Sequence, residues 1–148
     1  MTDALRLRGE EIQIRVVSGT EIVTTLSSIS NFTDSMVLEI KSDGFLGEAF
    51  DRYDETFSGY KGSFETQVST PDVLQFHEKI RARATRQDPT LVFNIIKTMF
   101  FASGATAIVT FKDVKWGPID DSTGGRKEYS KQKYDWACSE RDLHTDGF

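Results

Sequence analysis

Cysteine is almost missing from this sequence, since Cys138 is the only one among its 148 residues. A single thiol excludes a disulfide within the chain and a cysteine-rich zinc site. It also suits a protein that is made in a reducing compartment. Because a lone cysteine on a strand usually serves as a small apolar side chain, we expect Cys138 to pack and not to react.

Long hydrophobic runs and an excess of basic residues are also missing. The longest apolar stretch, residues 91–102, is interrupted by Asn94 and Lys97 and is too short to span a bilayer. The first residues, MTDALRLRGEE, lack the basic start and apolar stretch of a secretory signal, so none is expected. The net charge of −5 argues against a protein that grips nucleic acid by its phosphates.

What is present is the composition of an ordinary globular domain, 38% hydrophobic and 28% charged. No repeat or linker divides the chain, so we expect one domain over residues 1–148, with flexible ends near residues 1–8 and 140–148. Residues 11–17, 35–41 and 59–68 alternate between apolar and polar side chains. This alternation is typical of antiparallel strands with one solvated face.

The remaining segments are assigned by composition and by weaker patterns. Residues 91–101 are apolar on both faces, which predicts a central strand covered on both sides, with the helix as one cover. The pattern stops in two segments, which we interpret as loops: residues 42–58 and 117–125. Three further strands are predicted over residues 20–25, 105–116 and 126–138.

One helix is predicted after Thr70, a suitable N-cap that is followed by Pro71 at the first helical position. An apolar stripe at helical spacing continues until Asp88 and Pro89 end it. The basic run of residues 81–86 either complements the helix dipole or contacts an acidic partner. The predicted fold class is therefore mainly β, an antiparallel barrel or sandwich with one principal α-helix and one long loop.

Few residues could carry catalysis. His77 stands beside Glu78, but the spacing is not HExxH and no second histidine lies one turn away. Residues 124–127, GGRK, lack the spacing of a phosphate-binding loop. We therefore expect no enzyme, no cofactor and no metal. The rival hypothesis is a small hydrolase or ligand-binding barrel that uses His77 and the acids of the first long loop, Glu48, Asp51, Asp54 and Glu55.

Three segments are informative through their order. Residues 28–68 carry Leu46-Gly47-Glu48, then Asp54-Glu55, then Gly59 and Gly62. The helix opening TPDVLQFHEKI follows, and GGRKEYSKQKYDW comes late, over residues 124–136. In this order and spacing, over roughly residues 9–142, the chain resembles the tail tube proteins of contractile-tailed bacteriophages.

The resemblance implies a structural virion protein whose copies form hexameric rings that stack into a hollow tail tube for the passage of DNA. It implies contacts with a tail sheath protein and with baseplate, tube-initiator and terminator proteins. It also implies synthesis in the host bacterial cytoplasm and a place in the virion tail, with DNA only as non-specific cargo and no membrane insertion. A negative lumen would repel the DNA backbone and let it slide. A baseplate tube initiator, or a tube protein of a pyocin-like particle or secretion system, is the alternative.

By the same resemblance, residues 44–57 form a long loop that reaches over a neighbouring subunit. Its apolar side chains suit an interface, and packing back on their own barrel is the alternative for each of them. Together with two later residues, the loop supplies the candidate subunit contacts: Phe45, Leu46, Glu48, Phe50, Asp51, Arg52, Tyr53, Phe57, Arg126 and Tyr129.

Overall fold

The computed structural model describes residues 11–18, 21–22, 29–67, 72–122, 125–126 and 130–146. Within these ranges the chain forms strands and a single helix, α1. The elements are β1 (Ile12–Ser18), β2 (Glu21–Ile22), β3 (Ser30–Asp43), β4 (Arg52–Gln67), α1 (Asp72–Ala84), β5 (Phe93–Phe100), β6 (Thr106–Lys112), β7 (Lys115–Ser122), β8 (Lys131–Cys138) and β9 (Glu140–Asp146).

The strands form two sheets that pack face to face. Sheet A has the order β2-β1-β5-β6-β9, and sheet B has the order β3-β4-β8-β7. Every neighbouring pair is antiparallel. Each sheet keeps two edge strands among the described residues, so the predicted antiparallel β-fold is confirmed as a sandwich and not as a closed barrel.

The core between the sheets is rich in aromatic side chains. Phe64 of β4 stacks on Tyr134 of β8 with ring centroids 5.0 Å apart. Phe111 of β6 packs against Trp136 with a centroid distance of 4.7 Å and so joins sheet A to sheet B. Cys138 is buried at the end of β8, and burial raises the pKa of its thiol. The thiol therefore packs as a neutral, apolar group.

Helix α1 contacts both sheets through its buried stripe. Phe76 packs edge-on against Phe93 of sheet A and Trp116 of sheet B, with both centroid distances 5.6 Å. The helix ends earlier than Asp88 and Pro89 predict, because Arg86 adopts a left-handed φ of 62°. The amides of Arg86 and Gln87 then donate to the carbonyl oxygens of Arg83 and Ala82, which forms a Schellman cap. No helix in the described ranges is long and apolar enough to cross a membrane.

The predicted strand over residues 105–116 is wrong as a single element. The chain leaves sheet A after β6 and enters sheet B with β7, and Asp113 makes the bend with a φ of 51°. The predicted loop over residues 117–125 is also wrong, since β7 pairs with β8 as far as Ser122. A register shift lies between Trp116 and Ile119, around Gly117 and Pro118. Because β7 is an edge strand, it tolerates the glycine and proline that mimic a loop sequence.

Two further predictions need correction. The outer face of β5, with Asn94, Ile96 and Thr98, is only half-buried, because α1 packs against the inner side of the sandwich and leaves this face uncovered.

The expected flexible end from residue 140 is instead strand β9 as far as Asp146, paired with β6. Its charged sequence, ERDLHTD, hides the strand period and suits an exposed sheet edge.

Candidate subunit interface

The β3–β4 hairpin extends well beyond the rest of its sheet. The two strands pair as far as Asp43 and Arg52, whereas β8 accompanies β4 only from Tyr60 to Gln67. Residues 37–59 therefore form a two-stranded ribbon, called the arm below. The predicted loop over residues 42–58 is wrong in extent, because only residues 44–51 lie outside the strands. Glu55 stands among the aromatic residues of β4 and breaks the alternation that would have predicted a strand.

One face of the arm is apolar except for Glu55, which lies opposite Ile40, and this face is exposed. Leu38 lies opposite Phe57, and Ile40 lies two residues further along the same face. The exposed fractions are 53% for Leu38, 49% for Phe57 and 75% for Ile40. The opposite face is charged, with Glu39, Lys41, Arg52 and Asp54. The arm is thus amphipathic, and no residue that the structure describes covers its apolar face.

The apolar face of the arm continues the inner face of sheet B. At the base of the arm Met36 lies opposite Tyr60, whose ring contacts Phe111 of the core at 6.0 Å. Phe57 contacts Tyr60 in turn, with ring centroids 5.2 Å apart. The core-facing side of sheet B therefore runs out past the end of sheet A. Large contiguous apolar surfaces of this kind mark interaction sites in soluble proteins.

A tight turn closes the tip of the arm. The amide of Glu48 donates to the carbonyl oxygen of Phe45 over 3.2 Å, and Gly47 has a φ of 87°. Positive φ at the third position of a turn favours glycine, which accounts for the Leu-Gly-Glu core of the segment. Arg52 donates from Nε to Glu48 Oε2 over 3.0 Å and lies over the Phe45 ring at 4.9 Å. Leu46, at the corner of the turn, is fully exposed.

The glycines at residues 59 and 62 are required at the base of the arm. A register shift leaves Ser58 unpaired, and Gly59 has a φ of 112°. A Cβ on Gly59 would lie 2.6 Å from the carbonyl oxygen of Cys138, and one on Gly62 would lie 1.9 Å from that of Thr33. The Gly-x-x-Gly spacing therefore marks the point where the arm bends away from the sheet.

The structure brings together some of the predicted contact residues and separates others. Eight of them lie on the arm and are exposed: Phe45, Leu46, Glu48, Phe50, Asp51, Arg52, Tyr53 and Phe57. Arg126 is exposed in the β7–β8 connection, near the end of the sheet where Gln67 pairs with Lys131. Arg126 and the arm therefore lie at opposite ends of sheet B. Tyr129 lies outside the described residues.

Sequence reasoning did not identify Met36, Leu38 and Ile40 as exposed apolar residues. Their alternation correctly predicted an apolar face, but the face was expected to lie in the core. The structure exposes it because β3 and β4 have 14 and 16 residues, while the strands of sheet A that could cover them have at most 8. The sequence carried only a weak signal, because Tyr53 and Phe57 keep the strand period of β4 and Glu55 between them interrupts it.

His77 belongs to a hydrogen-bonded chain beneath α1. Its Nε2 lies 2.8 Å from Tyr134 Oη, which donates to Gln132 Oε1 over 2.8 Å. The phenol has one proton, so Nε2–H of His77 is assigned as the donor to Tyr134. Burial lowers the pKa of His77, against the opposing charges of Asp121 and Glu78. Burial also raises the pKa of Tyr134, so both rings stay neutral and serve as structural hydrogen-bonding groups.

The active site of the rival hypothesis is not assembled in the structure. Asp54 lies on the arm, ten positions along β4 from Phe64, which stacks on the Tyr134 ring beside His77. Ten residues of strand span about 33 Å, so His77 cannot act together with the acids of the arm. Among the residues that the structure describes, no cluster of histidine, cysteine and acidic side chains could hold a metal ion.

No family model and no curated protein matches this sequence. Similarity appears in solved structures. A chain in the tail of an empty GTA particle, refined with C6 symmetry, is 13% identical, with 96% of this chain and all of that chain covered and a TM-score of 0.64. A chain in the baseplate of the anti-feeding prophage is 12% identical, with coverages of 90% and 92% and a TM-score of 0.59.

A third similar chain lies in the sheath-tube complex of the PVC extracellular contractile injection system. It is 11% identical, with coverages of 90% and 89% and a TM-score of 0.53. At such identities the likeness concerns the fold. The chain therefore shares its sandwich fold with chains of the GTA tail, the anti-feeding prophage baseplate and the PVC sheath-tube complex, in agreement with the resemblance to tail tube proteins.

Proposed function

We propose that this chain is a structural subunit that assembles with its own copies into hexameric rings, which stack into a hollow tail tube. One observation carries the proposal: the inner face of sheet B leaves the core and continues along the arm, where the described part of the chain leaves it uncovered. Monomeric soluble proteins rarely expose a contiguous apolar surface of this size. A second copy that packs on it would complete the apolar layer that the chain begins.

The energy available at the arm is large enough for assembly. Eight large apolar side chains on or beside it are about half exposed or more: Met36, Leu38, Ile40, Phe45, Leu46, Phe50, Tyr53 and Phe57. Full burial of one such side chain stabilises by about 1.5–3 kcal/mol. Allowing for the area that is already buried, the arm offers on the order of 10 kcal/mol before the costs of association. Repeated around a ring, such a contact suits a closed oligomer.

The position of the arm favours a head-to-tail contact. It projects from one end of sheet B, so a partner that covers it presents a different surface from the arm itself. Heterologous contacts of this kind close into rings or continue as helical filaments. The GTA tail and the anti-feeding prophage baseplate, whose chains share this fold, are six-fold symmetric assemblies, which supports six subunits per ring.

The same reasoning extends to partners and place. Structures of this fold come from a baseplate, a tube-terminating cap and a sheath-tube complex. We therefore propose a sheath protein, a tube initiator and a terminator as partners, synthesis in the host bacterial cytoplasm and a final place in the virion tail. A tube-initiator role in the baseplate is the alternative within the same fold. DNA passes through the lumen as non-specific cargo, which the net charge of −5 repels from the walls.

Electron microscopy of the purified full chain tests the assembly. Rings or tubes about 100 Å wide are expected, a width estimated from six domains of this size around a central channel. Sedimentation velocity on the same sample should show a concentration-dependent shift to large species. A protein that remains monomeric at the highest attainable concentration would overturn the proposal.

Passage of DNA requires its own experiment. Acidic side chains that a tube reconstruction places in the lumen would be replaced by lysine in assembled particles. Slower DNA release is expected, since a positive wall binds phosphates. Unchanged release would refute the role of lumen charge and leave the structural role of the chain intact.

A further inference from the structure

Two cationic side chains of sheet A contact the base of the arm. One of them contacts β3 and the other contacts β4. Lys97 of β5 pairs with Asp34 of β3, with Nζ 3.0 Å from Oδ1, and also lies 5.8 Å above the Phe32 ring. Arg141 of β9 lies over the ring of Tyr60 on β4, 4.6 Å from its centroid. From these contacts we infer that Lys97 and Arg141 form a clamp that fixes the angle at which the arm leaves the sandwich.

The clamp stands where the closed core ends. Phe32 stacks on Phe64 and Trp136, so it still belongs to the core. Asp34, two residues further along β3, is the ion-pair residue, and Met36 beyond it is already half exposed. The carboxylate of Asp34 and the ammonium of Lys97 are 26% and 19% exposed. The loss of hydration offsets much of the attraction within a partly buried charged pair, so the pair adds little net stability. Its directional contact nevertheless constrains the geometry of the two strands.

A constraint is needed at this point because the arm bends here. The register shift at Ser58 and the left-handed Gly59 interrupt the ladder between β3 and β4. Seven residues of strand, from 37 to 43, reach about 23 Å beyond the base. A rotation of ~10° at the base would then move the tip by ~4 Å. A gap of even 1 Å forfeits much of the attraction between apolar surfaces, so an unclamped arm would find its partner poorly.

The functional meaning of the clamp rests on the proposed assembly, but its effect on the arm angle can be measured in the monomer. Spectroscopic labels would be placed at the tip and on the helix through Leu46→Cys and Glu78→Cys, with Cys138→Ala in every variant. Pulsed electron–electron double resonance, at protein concentrations below those at which rings form, then gives the distribution of tip-to-core distances. Lys97→Met keeps the aliphatic stem and removes the charge, and the exchange Asp34→Lys with Lys97→Asp restores a pair of reversed polarity.

A narrow distribution of tip-to-core distances is expected for the parent chain. Lys97→Met should at least double the width of this distribution, and the charge exchange should restore the parent width. The matched control is Lys112→Met, which removes an exposed ion pair with Asp142 on the same sheet. Equal widths in all variants would overturn the clamp. Should Lys97→Met fail to fold, Arg141→Gln tests the contact on the other strand by the same criterion.

Assembly separates this inference from the proposed function. In the unlabelled chain, Lys97→Met is expected to raise the concentration at which rings form by at least tenfold, with Lys112→Met unchanged. Absence of rings in the parent chain would refute the tube subunit, while the distance distributions would still decide the clamp. Rings that form at the parent concentration in Lys97→Met and Arg141→Gln would refute the role of the clamp in assembly and leave the tube subunit intact.

Discussion

Leu38 and Phe57 lie opposite each other in the β3–β4 register, and both present about half of their side chains to solvent. Opposed residues of neighbouring strands share one face of a sheet. Two large apolar residues in this arrangement would ordinarily face a second layer. Sheet A does not reach them, so the pair marks the surface on which the proposed assembly depends.

Substitutions on that face should abolish assembly and leave the fold intact. Ile40→Asp places a charge in the centre of the proposed contact, where it would be buried without a partner. Ile40 is 75% exposed in the single chain and lies opposite Glu55. The free energy of unfolding of the chain should therefore fall by no more than about 1 kcal/mol, the scale for like charges on opposed strand positions. Sedimentation and thermal unfolding measure the two effects. Lys41→Gln, on the charged face of the same strand, is the control and should form rings normally.

The hydroxyl of Tyr134 should contribute measurably to stability. It accepts from His77 and donates to the buried Gln132, so Tyr134→Phe leaves both side chains without this partner. A loss of about 1–3 kcal/mol in the free energy of unfolding is expected, the cost of unpaired buried polar groups. Tyr53→Phe on the exposed arm is the control for the chemistry of the substitution. An equal effect of the two changes in urea unfolding would contradict a structural role for the chain of hydrogen bonds.

His77 should make stability depend on pH on the acid side of neutrality. Burial holds the pKa of His77 below its ordinary value of 6.5, so the unfolded chain takes up this proton at a higher pH than the folded chain. The contribution is fully present above about pH 6.5 and is lost as the pH falls toward the folded pKa. The stability difference between the parent chain and His77→Gln should therefore shrink on acidification. A difference that stays constant or grows would show that the sign is wrong.

Arg86 is expected to be a site of stabilisation. It holds the helix C-cap with a φ of 62°, a conformation that costs an L-residue roughly 1 kcal/mol and costs glycine almost nothing. Arg86→Gly should therefore raise the free energy of unfolding by about 0.5–1 kcal/mol, and Tm by roughly 1–4 °C. Arg86→Ala removes the same side chain but keeps the Cβ, so it should give no such gain in calorimetry. An equal rise in both variants would assign the effect to the lost charge.

Much of the fold follows from the sequence alone, because its signals are local. The alternation in residues 11–17 and 59–68 predicted strands that the structure contains, and the apolar stripe with Phe76 and Ile80 predicted α1. A strand with one apolar face or a helix with one apolar stripe shows its period wherever the covering layer lies. The single buried Cys138 and the glycines at residues 59 and 62 were likewise visible as sequence features, and the structure supplied their reasons.

The extent of the sheets was decided only by the tertiary structure. Whether Leu38 and Ile40 lie in the core or on the surface depends on the length of the strands in the opposite sheet. The sequence pattern of β3 cannot predict that length. The same holds for β7 and β9, whose glycine, proline and charged residues read as loop or tail until a neighbouring strand supplies the backbone hydrogen bonds. The sequence thus determined which side is apolar in strands with a clear alternation, such as β1 and β3. Only the packing of the two sheets determined where such an apolar side is left exposed, because that depends on how far the opposite sheet extends.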